Sequence, residues 1–239
     1  IHDRGVEPWQ ILALTFTNKA AEEMKNRVAI LLGMKSLRMW IGTFHSICAR
    51  ILRINAQTLG FTSRFIIFDG LDQKSIIRRI LKEMGISKDT ISPDKVLHEI
   101  NSAKQELIHY SFFDNIDDPE KQMIGRIFKK YQNRLIRSNS MDFGDLIFNV
   151  VKLLDEHPDI REQYQSRFRH ILVDEYQDTD PSQHALVELL TGAEKNICVV
   201  GDDNQSIYRF RGAEVENVLD FERSFPGAKV LHMMQNYRS

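Results

Sequence analysis

The run Ile171-Leu172-Val173-Asp174-Glu175, continued by Tyr176-Gln177-Asp178-Thr179, places two adjacent carboxylates at the end of an apolar stretch. If that stretch is a strand of an open α/β sheet, both acids stand at its carboxyl end, where such sheets bind ligands. Mg²⁺ takes one or two carboxylates together with substrate phosphates and waters. Asp174 is therefore the candidate metal holder, through a water. Glu175 is the candidate base that orients and deprotonates an attacking water. An apolar run ending in Asp-Glu also describes an ordinary solvated turn; the extension DEYQDTDPSQ makes the pattern specific.

Three further constellations have the right chemistry. VVGDDNQSIYRFRGA (199–213) is again an apolar run ending in polar groups. Its Gln205 can donate and accept, which suits sensing a water or terminal phosphate. Tyr208, Arg209, Phe210 and Arg211 interleave rings with cations, as a single-stranded nucleic acid requires for stacking and phosphate pairing. The alternative makes Tyr208 and Phe210 core residues of a strand. TFTNKAA (15–21) and GTFHS (42–46) put hydroxyls, an amide, Lys19 and His45 directly after apolar runs, beside Phe16 and Phe44, where helix N-termini bind phosphates. Arg238, near the end of the chain, is suited to stabilising charge on a transferred phosphoryl group.

These groups need elements to position them. ILALTF (11–16) and MWIGTF (39–44) read as buried strands, each followed by a helix. The first helix, capped by Asn18 and stopped at Gly33, carries Ala20, Met24, Val28 and Leu31 on one stripe. The second carries Ile47, Ile51 and Ile54. Strand-helix-strand-helix predicts a parallel sheet with helices packed on it. Between about 70 and 165 the pattern is helical (72–84, 93–108, 120–137, 142–156), with FIIF (65–68) as its one strand. The α/β rhythm then returns with HILVD (170–174), a helix over 181–190, NICVVG (196–201) and KVLHMM (229–234).

Composition narrows the class. The 239 residues are 42% apolar and 27% charged, enough for a core and too apolar for wholesale disorder. No window approaches the length of a membrane span, which predicts a soluble, cytoplasmic protein without membrane contact. Cys48 and Cys198 are too few for a disulfide framework or a zinc site, and their apolar surroundings predict two small buried hydrophobes. The net charge of −1, basic toward the start and acidic toward the end, gives by itself no reason to expect nucleic acid. Because residue 1 is Ile and the end follows an apolar run, the chain reads as a piece of a longer protein.

Taken in order, LTFTNKAAEEM, GTFHSICARIL, MDFGDLI, ILVDEYQDTDPSQ, VVGDDNQSIYRFRGA and QNYRS resemble the UvrD/Rep/PcrA-like superfamily 1 DNA helicases across residues 12–239. The resemblance implies a RecA-like parallel sheet with flanking helices, of the P-loop NTPase type, carrying an inserted, mostly helical subdomain. It divides the chain into a core of residues 1–60 and 166–239 and an insertion of 61–165. It implies ATP and Mg²⁺ as cofactors, with Asp174 and Glu175 as metal-holding and base residues. Gln205 and Arg238 would contact the γ-phosphate, and Tyr237 would stack on adenine. Phe16, Thr43, His45, Tyr208, Phe210 and Arg211 would lie near single-stranded DNA. The implied activity is ATP-driven 3′-to-5′ translocation and unwinding of partly duplex DNA, with repair or replication proteins as further partners.

The sequence departs from the family at three replaced positions and one missing loop. Phe210 stands where many members have tryptophan, and Asn204 and Gly144 each replace a common acid. No G-x-x-x-x-G-K-[ST] loop occurs in 1–239, so this stretch alone is expected not to hydrolyse ATP. Two rival functions remain at this stage. One is a non-catalytic helicase-like DNA-binding module. The other is a nuclease with Asp174, Glu175, Asp178, Asp202 and Asp203 as a two-metal cluster.

Overall fold

A computed structural model describes residues 5–33, 38–87, 89–202 and 221–231. Its centre is a four-stranded, all-parallel sheet of β1 (Ile11–Thr15), β2 (Trp40–Thr43), β5 (His170–Val173) and β6 (Ile197–Val199), in the order β2-β1-β5-β6. Leu12, Ala13 and Leu14 are buried on both faces, as a strand inside a parallel sheet requires. Because the strands are parallel, Thr43, Thr15, Val173 and Val199 all end at one edge.

Helix α1 (Asn18–Leu32) begins one residue earlier in register than the sequence suggested. Thr17, not Asn18, is the cap, its hydroxyl accepting from the Ala20 N–H at 3.1 Å, and Gly33 at φ 60° ends the helix. Its buried residue is Ala21, while Leu31 of the expected stripe is exposed. Helix α2 (Phe44–Asn55) buries Phe44, Ile47, Cys48, Ile51 and Leu52. That stripe leaves Ile54 outside, 60% exposed.

The middle contains the four expected helices, α3 (Gly70–Glu83), α4 (Pro93–Gln105), α5 (Pro119–Arg137) and α6 (Phe143–Glu156), and β3 (Ile66–Phe68). It also contains two elements the pattern did not show. β4 (Ser140–Asp142) is a three-residue strand paired parallel to β3, too short to display an alternation. α7 (Pro158–Arg167) is polar almost throughout and buries Tyr164, so its stripe is one residue wide. α8 (Pro181–Leu190) starts at its proline as expected. Of the final strand candidate, Lys229–Leu231 are in no regular element and 232–234 lie outside the described residues. The cysteine expectation needs correction. Cys48 is buried, but Cys198 is exposed, because the two-residue period of β6 turns it with its neighbour Leu172 to the face opposite Ile197 and Val199.

Apolar side chains form two cores. One gathers β1, β2, β5, α2, α6 and α8; the other, from Ile77 to Leu135, belongs to α3, α4 and α5. Between them lies a buried polar cluster. Lys104 of α4 donates to Asp142 Oδ2 at 2.7 Å and pairs with Asp145 Oδ1 at 2.7 Å, with all three side chains at most 2% exposed. The Tyr131 hydroxyl donates to Asp142 Oδ2 and Gln132 Nε2 to Asp145 Oδ1, while Asp142 and Asp145 cap α6 reciprocally. Gly144 sits against the Lys104 stem, where a Cβ would lie 2.9 Å from Lys104 Cδ. Among the described residues no helix is long and apolar enough to cross a membrane.

Candidate functional site

The carboxyl edge of the sheet is built from backbone first. The Asp174 N–H donates to the Leu14 carbonyl at 3.0 Å and the Tyr176 N–H to Val200 at 2.9 Å, so the segment after β5 is clamped between the ends of β1 and β6. Within that clamp Glu175 adopts the left-handed conformation, φ 53° and ψ 44°. A glutamate held there carries strain of the kind that accumulates at functional sites. The result is an exposed Glu175 side chain beside a half-buried Asp174.

Burial raises the Asp174 carboxyl above its ordinary value, and the Glu175 charge adds to it. Asp178 is raised by the same two causes, burial first, and its Oδ1 is buried without a hydrogen-bond partner. Asp180 has a different task. It caps α8, accepting from the Gln183 N–H at 3.0 Å and from the Ser182 hydroxyl at 2.7 Å. Tyr176 is fully buried, its hydroxyl 2.6 Å from His184 Nδ1.

The sheet brings the second candidate group to the same edge. Thr15 and Thr43 are register partners, so Phe16 and the start of α2 lie side by side. Thr43 is buried and its hydroxyl caps α2, accepting from the Ser46 N–H at 3.2 Å. His45 is half-buried, and burial lowers its pKa, favouring the neutral ring. Gln205, Tyr208, Arg209, Phe210, Arg211, Tyr237 and Arg238 lie outside the described residues, as does Asp203.

Two residues that the sequence did not single out belong here. Phe143, at the first position of α6, is 50% exposed and meets His45 edge-on at 5.9 Å between ring centres. It presents a ring on which a base can stack. It lies within the MDFGDLI stretch, but nothing in the pattern of that stretch sets Phe143 apart from the residues around it. Gln177 is fully buried and bridges Glu175 to the backbone of Asp202. That bridge depends on the left-handed turn at Glu175, which spacing cannot reveal.

A parallel sheet flanked by helices, with an Asp-Glu pair at the carboxyl end of an inner strand, defines a RecA-like α/β domain. Residues 1–226 match the family model described as the UvrD/REP helicase N-terminal domain, and the chain belongs to that family. It is 45% identical over 238 residues to the ATP-dependent DNA helicase PcrA of Bacillus subtilis, covering 99% of this chain and 32% of that protein. To the PcrA helicase of Staphylococcus epidermidis it is 44% identical over 240 residues, and to that of Staphylococcus aureus 42%, in each case across 100% of this chain and 33% of the relative. The chain thus spans about a third of the length of the curated relatives it matches.

Proposed function

We propose that this chain is part of an ATP-dependent 3′-to-5′ DNA helicase, which couples nucleotide hydrolysis to movement along single-stranded DNA and to unwinding of partly duplex DNA. The observation that carries this reading is the clamped Asp174-Glu175 turn at the carboxyl edge of the sheet, the same edge at which α2 begins. The residues fit a magnesium-nucleotide complex. Asp174 and Glu175 are adjacent like charges that a cation would relieve, and Asp178 Oδ1 is a buried acceptor without a donor. When bound, the ion screens phosphate charge. Asp174 would hold it, Glu175 would orient water and accept its proton, and Gln205, Tyr237 and Arg238 would contact the nucleotide.

Phe16, Thr43, His45, Tyr208, Phe210 and Arg211 form the proposed single-strand surface. Replacing Phe210 with alanine in the full-length protein is expected to cost about 1–3 kcal/mol of single-strand affinity. Fluorescence anisotropy with an oligonucleotide measures it, and unchanged affinity would make Phe210 a core residue. The domain reading, residues 1–60 and 166–239 as nucleotide-binding unit and 61–165 as insertion, is supported by the separate core of α3, α4 and α5. The packing of α6 with the sheet core draws the helical unit's own interior closer to 77–135. The same reading places the protein in the cytoplasm, working with repair or replication proteins.

Of the acids of the nuclease alternative, Asp203 lies outside the described residues, and the described ones do not favour that reading. Among the described residues no three His, Cys, Asp or Glu side chains converge on a point that could hold a metal. ATP hydrolysis by the full-length protein, with and without single-stranded DNA, tests the motor directly. An intact protein without turnover but with DNA affinity would be the binding module instead.

A further inference from the structure

We infer that Gln177 is a positioning residue that holds the Glu175 carboxylate and ties it to the backbone of Asp202, just beyond the end of β6; this rests on the reading of Glu175 as the base. Gln177 is 0% exposed, and both ends of its amide are used. Nε2 donates to Glu175 Oε2 at 2.7 Å, and Oε1 accepts from the Asp202 N–H at 3.0 Å. A carboxylate can only accept and a backbone N–H can only donate, so the two partners fix which way the amide faces.

The consequence follows from where the partners sit. Glu175 stands just beyond the end of β5 and Asp202 just beyond the end of β6, so one side chain spans two neighbouring strand ends. The side chain of Glu175 is exposed and would otherwise sample several rotamers. Gln177 selects one of them. A displacement of the Asp202 backbone is transmitted to the base carboxylate through a rigid amide. Misplacing a reacting group by about 1 Å is enough to cost a rate factor near 10².

Two variants of the full-length protein separate the ends of the clasp. Gln177→Met keeps the volume and removes both hydrogen bonds. Gln177→Glu keeps an acceptor for Asp202 but opposes two carboxylates at the Glu175 end. Three quantities are read: kcat of DNA-stimulated ATP hydrolysis, affinity for a fluorescent ADP analogue, and amide exchange in the nucleotide-free peptide containing Asp202. Both variants are expected to lose at least about 10-fold in kcat, with ADP affinity within about 3-fold of wild type. Exchange at Asp202 should rise in Gln177→Met and stay low in Gln177→Glu. Wild-type kcat in Gln177→Glu, or kcat and affinity falling together, would overturn the proposal. Glu175→Gln is run in parallel. Undiminished turnover there would remove the base assignment, and with it the purpose of the clasp, while exchange at Asp202 reports the contact independently.

Discussion

Glu175→Gln in the full-length protein is expected to leave nucleotide binding near wild type while ATP turnover falls about 10²-fold or more. The substitution preserves shape and removes the ability to accept a proton. It also preserves the local structure. The left-handed turn at 175 is set by backbone bonds on either side, Asp174 to Leu14 and Tyr176 to Val200, neither of which involves the side chain. Gln177 still finds an oxygen to which it can donate. Asp174 keeps its carboxylate and its place at the end of β5. Titration of a fluorescent nucleotide beside steady-state hydrolysis separates the two effects. Equal losses in both would make Glu175 a structural or metal-holding residue, and the base would have to be sought elsewhere on the same edge.

The second large effect concerns stability. Lys104→Met should destabilise the fold by about 3–5 kcal/mol at pH 7.5, because it leaves Asp142 and Asp145 buried without their cation. Burial and the charges of the two aspartates act in opposite directions on Lys104, and the aspartates win, raising its pKa. For Asp142, burial pushes upward but Lys104 more than offsets it, holding the carboxyl below its ordinary range. Asp145 is pushed up to about 6 by burial and by the neighbouring Asp142 charge.

The sign of the pH dependence follows. A carboxyl raised in the folded state stabilises the fold fully only below its unfolded value, and that contribution is lost as pH rises through the folded value. For Asp145 the window runs from the ordinary 3.8 to about 6. Without Lys104 both aspartates move upward, so the variant should recover much of its deficit at pH 5. Urea unfolding of wild type and variant at pH 7.5 and 5.0 measures this. A deficit independent of pH would mean that the lost packing of the lysine stem, rather than the stranded charges, is responsible.

What the sequence made legible was what repeats along it. Apolar runs ending in polar groups located β1, β2, β5 and β6, and helical periodicity located α3 to α6 within a few residues. Elements defined by a partner rather than by their own pattern escaped. β4 exists through pairing with β3, and α7 buries little more than Tyr164. The site divides in the same way. The placement of Asp174 and Glu175 was readable because it follows directly from the apolar run that precedes them. Gln177 and Phe143 were not, since the role of each depends on a neighbour distant in sequence or on a backbone conformation that composition does not encode. Thr17 displaced Asn18 as a cap for a similarly local reason, the reach of one hydroxyl to Ala20.

The register of Leu12 beside Ile171 also bears on how the molecule reaches its native state. Pairing β1 with β5 closes a loop of about 160 residues, an entropic cost paid before the sheet gains any of its burial. The helical segment between them has a core of its own, and β3 beside β4 brings its two ends together, Ile66 against Ser140. Once that segment has formed, the effective loop is roughly halved, and closing the sheet becomes less costly. Pulse-labelled refolding should therefore protect the amides of α3, α4 and α5 before those of β1 and β5, so that the carboxyl edge of the sheet assembles after the helical core.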